Sequence, residues 1–234
     1  MDEFERKTGI KADDHALIAK HMMFSGLEEE TLHTLLGDSS VRNYPRNTSL
    51  FMQDESATRF YLVLEGWVKL YRQSVDGHES VIHVVAPGES FAEAAIFDTL
   101  IFPVNATVVE EARLLYIPSK SFVKRLRENS DICLNILAAL SRRQRQLVQH
   151  VEQLTVSSSA ERLALFLARL ARQKEGPVKL RLPLDKSLIA ARLGMQPETL
   201  SRSFAKLRDM GVHSKSSDIV IDDIAKLIKF SERE

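Results

Sequence analysis

Apolar residues recur along this chain with three textures, and the changes between them divide it into segments. Over residues 12–37 the spacing is helical, with Leu17, Ile18, His21 and Met22 in one set and Leu32, Leu35 and Leu36 in another after Glu28-Glu29-Glu30. Two short helices are predicted there. From Val41 to Pro118 the pattern becomes short β-branched and aromatic runs broken by Gly, Pro, Asn and Asp. Phe60 to Leu64 and Trp67 to Arg72 read as two strands joined by a turn at Glu65-Gly66. Val75-Asp76-Gly77-His78 is a further turn, Ser80 to Val85 a further strand, and Ala106 to Ile117 supplies the last strands. Short strands at this spacing predict a barrel or jelly roll.

Helical spacing returns at Ser119, breaks near Asn129-Ser130 and runs on to about Thr155. In it Cys133, Leu137, Leu140, Gln144, Leu147, Val151 and Leu154 follow a 4-3 repeat, a heptad seam with one polar position. The seam can pack on its own domain or on the same helix of a second chain. The polar opposite face (Ser141, Arg142, Arg145, Gln149, Glu152) favours a homodimer. Thr155 to Ser159 is a polar break that reads as a hinge. Beyond it come a helix over Glu161–Arg172, a strand over Val178–Leu182, and an N-cap at Asp185 before a helix over Lys186–Leu193. Gly194 then turns the chain into a second helix, Ile219-Val220-Ile221 forms a wing, and a last helix runs from about Asp223 to Phe230. The predicted class is α+β: helices and a β-roll in residues 1–118, a helical region in 119–155 and a winged helix-turn-helix in 156–234.

Charge and composition narrow the function. The formal net charge is zero, but residues 156–234 hold 15 Lys+Arg against 10 Asp+Glu, as expected of a module that meets phosphates. The chain has no run of 18 apolar residues and no signal-peptide core at its start, so a cytoplasmic protein with no membrane partner is expected. A single cysteine, Cys133, leaves no set of thiolates for an iron–sulfur cluster or an all-cysteine zinc site. No Gly-rich phosphate loop, nucleophile elbow or metal-ligand helix is visible, so the chain is not expected to be an enzyme.

The stretch Leu188 to Gly211 carries the sharpest signal. Glu198, Ser201 and Arg202 stand at i, i+3 and i+4 in the first turns of the second helix, the part that meets base edges in the major groove. Leu200, Phe204 and Leu207, at i, i+4 and i+7, fall on another face and predict packing. Gln196, Thr199 and Lys206 complete the candidate DNA-contacting set. Arg202 could instead clamp a phosphate, and Glu198 could simply favour the helix dipole.

With these residues in hand, the chain resembles the CRP/FNR family of bacterial transcription regulators over nearly its whole length. The resemblance rests on Gly66, Gly77 and Gly88, on Pro87-Gly88-Glu89-Ser90-Phe91-Ala92-Glu93, and on the helix-turn-helix and wing. It implies a cyclic-nucleotide-binding-like roll, a long dimerisation helix and a homodimer that acts with RNA polymerase. Glu198-Thr199-Leu200-Ser201-Arg202 resembles the E-x-x-S-R signature of the FNR branch, which implies palindromic sites close to TTGAT-N4-ATCAA. By that resemblance Arg202 contacts guanine, Ser201 the thymine side, and Glu198 accepts from a base amino group.

The resemblance places the effector pocket at Phe91, Glu93, Val104 and Asn105. Relatives that bind cyclic nucleotides carry an Arg where this chain has Val104, and an apolar side chain cannot balance a buried phosphate, which speaks against cyclic AMP. Lacking that Arg and the cluster cysteines, the chain is similar to the DNR/NNR-type branch, which implies a response to nitric oxide or redox and anaerobic signals through b-type haem. Axial ligands would come from the seven histidines, with His15 and His21 foremost, although a lone histidine is more often a surface or hydrogen-bonded residue. A regulator of the same family with another small ligand, or a ligand-binding module acting through protein partners, is the alternative.

Overall fold

A computed structural model describes residues 3–74, 76–130, 132–138, 140–141, 144, 158–171 and 173–231. The chain forms two compact units, residues 1–147 and 148–234. The first begins with α1 (Glu3–Thr8), α2 (Ala12–Lys20) and α3 (Glu29–Leu36), then builds a six-stranded antiparallel sheet. Its strands are β1 (Ser40–Tyr44), β2 (Ser49–Phe51), β3 (Arg59–Gln73), β4 (Glu79–Val85), β5 (Ser90–Phe91) and β6 (Asn105–Pro118), with the short helix α4 (Glu93–Phe97) between the last two. The main strand order is β1-β6-β3-β4, with β2 on β6 and β5 on β3. After β6 come α5 (Ser119–Glu128) and a helical run over 132–138, here α6.

The sheet departs from expectation in one instructive place. Where two strands and a Glu65-Gly66 turn were expected, β3 is one continuous 15-residue strand, and β6 is likewise a single strand. The β3–β6 register shifts between Val63 and Val68, so Gly66 lies in a bulged stretch of strand. Its φ is +81°, and a Cβ there would lie 2.2 Å from the Glu111 carbonyl oxygen. Glycine is required because the partner backbone passes so close. Phe60 to Leu64 are all buried, so the strand shows no alternation. One cover is α5, whose Phe122 meets Phe60 edge to face at 4.9 Å.

The N-terminal helices are fastened to the roll by ionic contacts. Arg113 of β6 donates to both carboxylate oxygens of Asp14 on α2, at 2.9 and 3.3 Å, and also pairs with Glu65. Asp14 is almost wholly buried and accepts from the Lys11 backbone N–H as well, closing the start of α2. Burial works against the Arg113 charge, but its bonds to Asp14 and Glu65 outweigh that and raise its pKa. At the other end, Arg125 of α5 holds the Thr34 and Leu35 carbonyls and the Asp38 carboxylate.

The second unit contains α7 (Ser159–Leu170), β7 (Val178–Arg181), α8 (Lys186–Arg192), α9 (Pro197–Arg208), β8 (Val212–Lys215), β9 (Asp218–Ile221) and α10 (Ile224–Ser231). Ser158 and Glu161 form a reciprocal capping box at the start of α7. The strands form a β7-β9-β8 sheet, in which the hairpin of β8 and β9 is the wing. Leu163, Leu167, Leu200, Leu207, Ile221 and Ile224 are buried in this unit.

Candidate DNA interface and effector segment

Helix α9 owes its start to local chemistry. Gly194 has a positive φ of 62°, which lets the chain leave α8 sharply, and Pro197 occupies the first turn of α9, where a missing N–H costs nothing. Asp185 caps α8 by accepting from the Leu188 N–H at 2.9 Å, and Arg162 of α7 donates to the Leu193 carbonyl at 3.2 Å. The turn is therefore held from both sides.

On α9 the expected division of faces is present. Leu200, Ser203, Phe204 and Leu207 are buried. Gln196, Glu198, Ser201, Arg202 and Lys206 are exposed, and Thr199 is half-buried. Ser201 donates to the Pro197 carbonyl at 3.1 Å, and Arg202 donates to the Thr199 hydroxyl at 3.2 Å. These short-range bonds hold Ser201 and Arg202 along the first turns of α9. They are weak enough to be exchanged for base or phosphate oxygens.

The effector segment is arranged differently. Ala92, at φ +68°, starts α4 in the left-handed region. Phe91 is fully buried, stacked on Tyr61 with centroids 5.1 Å apart, beside the stacked pair Phe51 and Phe102 at 3.8 Å. Burial pushes the Tyr61 hydroxyl up to about 12, although Arg59 donates to it at 2.8 Å. Asn105 is buried, and its side-chain oxygen accepts the Gln53 backbone N–H at 2.9 Å. Phe91 and Asn105 thus have structural duties in the roll, while Val104 is half-buried. Glu93 has one carboxylate oxygen that is buried without a hydrogen-bond partner. Desolvation raises its pKa against the opposing hydrogen bonds from its own backbone and Ser90.

Residues 41–129 match the cyclic nucleotide-binding domain model, and residues 161–230 match the Crp-like helix-turn-helix domain model. The cyclic AMP receptor protein of Thermus thermophilus is 30% identical over 190 residues, which cover 81% of this chain and 87% of that one. The chain belongs to the CRP/FNR family of transcription regulators. The nitrogen fixation regulation protein FixK of Rhizobium meliloti is also 30% identical, over 74% of this chain and 77% of its own. Among solved structures, one from Ruegeria pomeroyi, described only provisionally as a cyclic nucleotide binding protein, is 38% identical. Its TM-score is 0.83, over 96% of this chain and all of that one. DNR from Pseudomonas aeruginosa is 30% identical, with a TM-score of 0.58 over 94% and 98% of the two chains.

Within this CRP/FNR regulator the described part of the expected dimer seam is exposed except at its first position. Ile132 and Ile136 of α6 are buried in the core of the roll unit, and Cys133, half-buried, donates its thiol to the Leu126 carbonyl at 3.0 Å. Cys133 is therefore turned toward its own unit, and at the start of α6 the Asn129 side-chain oxygen accepts the Ile132 N–H at 3.2 Å. Leu137 and Leu140 are 58% and 42% exposed, with Leu134 at 63%, and Gln144 is exposed. Leu147, Val151 and Leu154 lie outside the described residues.

The histidines favoured as haem ligands do not fit that group. His21 is buried, its Nδ1 accepts the Met23 N–H at 3.4 Å, and its ring packs 5.3 Å from Phe24. His15 faces a cleft lined by Glu5, Ala12, Ala19, Leu27, Glu29 and Leu32. A porphyrin needs a flat apolar slot, and two carboxylates in the wall oppose one. Among the described residues, no helix is long and apolar enough to cross a membrane.

Proposed function

We propose that this CRP/FNR regulator reads an FNR-like palindrome, TTGAT-N4-ATCAA, as a homodimer that acts with RNA polymerase. The observation that carries the reading is the exposed set Glu198, Ser201 and Arg202 on α9, backed by buried Leu200, Phe204 and Leu207. Arg202 pairs with guanine through its two-pronged guanidinium, Ser201 meets the thymine side, and Glu198 accepts from a base amino group. Dimeric readers meet half-sites about 34 Å apart, one DNA turn. Exposed Leu134, Leu137 and Leu140 supply apolar surface for the pairing of two chains.

The signal is nitric oxide or another redox change, a reading supported by the likeness to DNR, and its carrier is not a haem on His15 or His21. Cyclic AMP is not the effector, even though the Thermus relative is named for it, because Val104 offers no charge to a cyclic phosphate. Fluorescence anisotropy with labelled palindrome and scrambled duplex tests the DNA reading. Preference for the palindrome and steep weakening with salt are expected, and equal affinity for both duplexes would overturn it. Calorimetry with cyclic AMP should give no saturable heat, and a stoichiometric isotherm would restore the nucleotide.

A further inference from the structure

The N-terminal helices carry a second chemical centre. His15 on α2 and Glu29 and His33 on α3 each bring one ligating atom to within 4.8 Å of the other two. Glu29 and His33 stand one helical turn apart, on the same face. His33 Nε2 and Glu29 Oε1 are 3.8 Å apart, too far for a hydrogen bond, and His33 Nε2 is buried with no hydrogen-bond partner. A buried ring nitrogen left in that state calls for a reason.

Packing holds both imidazoles in place. Phe4 of α1 stacks on His33 with centroids 3.8 Å apart and planes at 12°, and His15 stands edge-on to both rings, at 6.1 Å from Phe4 and 5.8 Å from His33. The residue before His15 is Asp14, fixed by Arg113, and the C-terminal end of α3 is fixed by Arg125. The donors therefore sit on two helices that are each tied down independently, as a preformed site requires.

We propose that His15, Glu29 and His33 bind one divalent transition-metal ion, with Zn2+ the best match. Two imidazoles and one carboxylate form a donor set that suits zinc and its neighbours, whereas magnesium and calcium prefer oxygen alone. Tetrahedral zinc with bonds of about 2.0–2.2 Å brings its ligand atoms to roughly 3.3 Å from one another. Glu29, with its side chain 77% exposed, is free to swing inward and close the remaining distance. The ion leaves a fourth position for water or an external ligand, and it cross-links α2 to α3.

The test uses the full chain, stripped of metal with a chelator and titrated calorimetrically with zinc chloride and, in parallel, magnesium chloride. One zinc per chain and no magnesium binding are expected. Glu29→Gln and His15→Ala should each weaken zinc binding by about a hundredfold or more, since even outer-shell changes cost 10–100-fold. Zinc should raise the Tm of the wild type, and at the same zinc concentration should raise that of Glu29→Gln by less. His78→Ala, in an exposed turn, should bind as the wild type does. Absence of zinc binding in the wild type, or full affinity in Glu29→Gln, overturns the proposal. The exposed carboxylate makes Glu29→Gln decisive even if removal of His33 disturbs its stack with Phe4.

Discussion

On α9 the chemically able side chains stand on the outside of an ordinary packed helix, while in the roll they are drawn into the interior. Glu198, Ser201 and Arg202 can change without disturbing Leu200, Phe204 or Leu207. Phe91 cannot change without disturbing Tyr61, nor Asn105 without releasing the Gln53 N–H. The helix-turn-helix unit puts its candidate reading residues and its packing residues on different helical faces, whereas in the roll the candidate effector residues Phe91 and Asn105 are themselves part of the packing. Substitutions in the roll should therefore register as lost folding, and substitutions on the outer face of α9 as lost affinity.

The most severe test of this contrast is Gly66→Ala, which forces a Cβ to within 2.2 Å of a backbone oxygen. It should cost about 3 kcal/mol or more and unfold the roll unit first, as seen by urea denaturation followed through Trp67 fluorescence. Next comes Arg113→Met, which strands the buried Asp14 carboxylate. A loss of about 3 kcal/mol is expected, at the low end for a broken buried pair because Lys11 still donates to Asp14. An unchanged Tm would show that the N-terminal helices need no ionic fastening.

On the other side, Arg202→Ala should leave the unfolding free energy within about 0.5 kcal/mol of wild type and weaken operator binding by about 1–3 kcal/mol per half-site. Discrimination at the guanine should fall with it, whereas a uniform loss on every duplex would make Arg202 a phosphate clamp. Ser158→Ala, which removes half of the α7 capping box, should cost about 1 kcal/mol of stability and leave base preference alone.

The subtlest test concerns Glu93. Its raised pKa means that the folded state disfavours the charged form, so this residue detracts from stability most fully above the folded pKa. The penalty shrinks as pH falls below that value and is gone once pH is below the ordinary carboxylate value. Glu93→Gln should then be slightly more stable than wild type at neutral pH, with the difference closing on acidification. A variant less stable at every pH would mean that the carboxylate has a partner in solution.

How far the chain could be read beforehand follows from the same contrast. The two faces of α9 were legible because the candidate reading residues stand at i, i+3 and i+4 and the packing residues at i, i+4 and i+7, patterns confined to a dozen residues. The long strand β3 was not, because Glu65-Gly66 is turn-like by composition and only the approach of Glu111 from 45 positions away reveals a bulge. The packing of α6 was less legible, because Ile132 and Ile136 form a second apolar stripe beside the heptad seam, and only the roll's core shows that this stripe faces inward while Leu137 and Leu140 stay exposed. The His15, Glu29 and His33 cluster left one faint trace, the spacing of Glu29 and His33. Its third member arrives through the packing of α2 against α3.

Leu134, Leu137 and Leu140 give the outward stripe of α6 one further consequence. If those leucines are covered only by a second copy, the number of competent readers rises with the square of the chain's concentration while dimers are scarce. A modest change in synthesis or turnover would then shift promoter occupancy more than proportionally. The cell's own supply of the protein would then be an input to promoter occupancy in its own right.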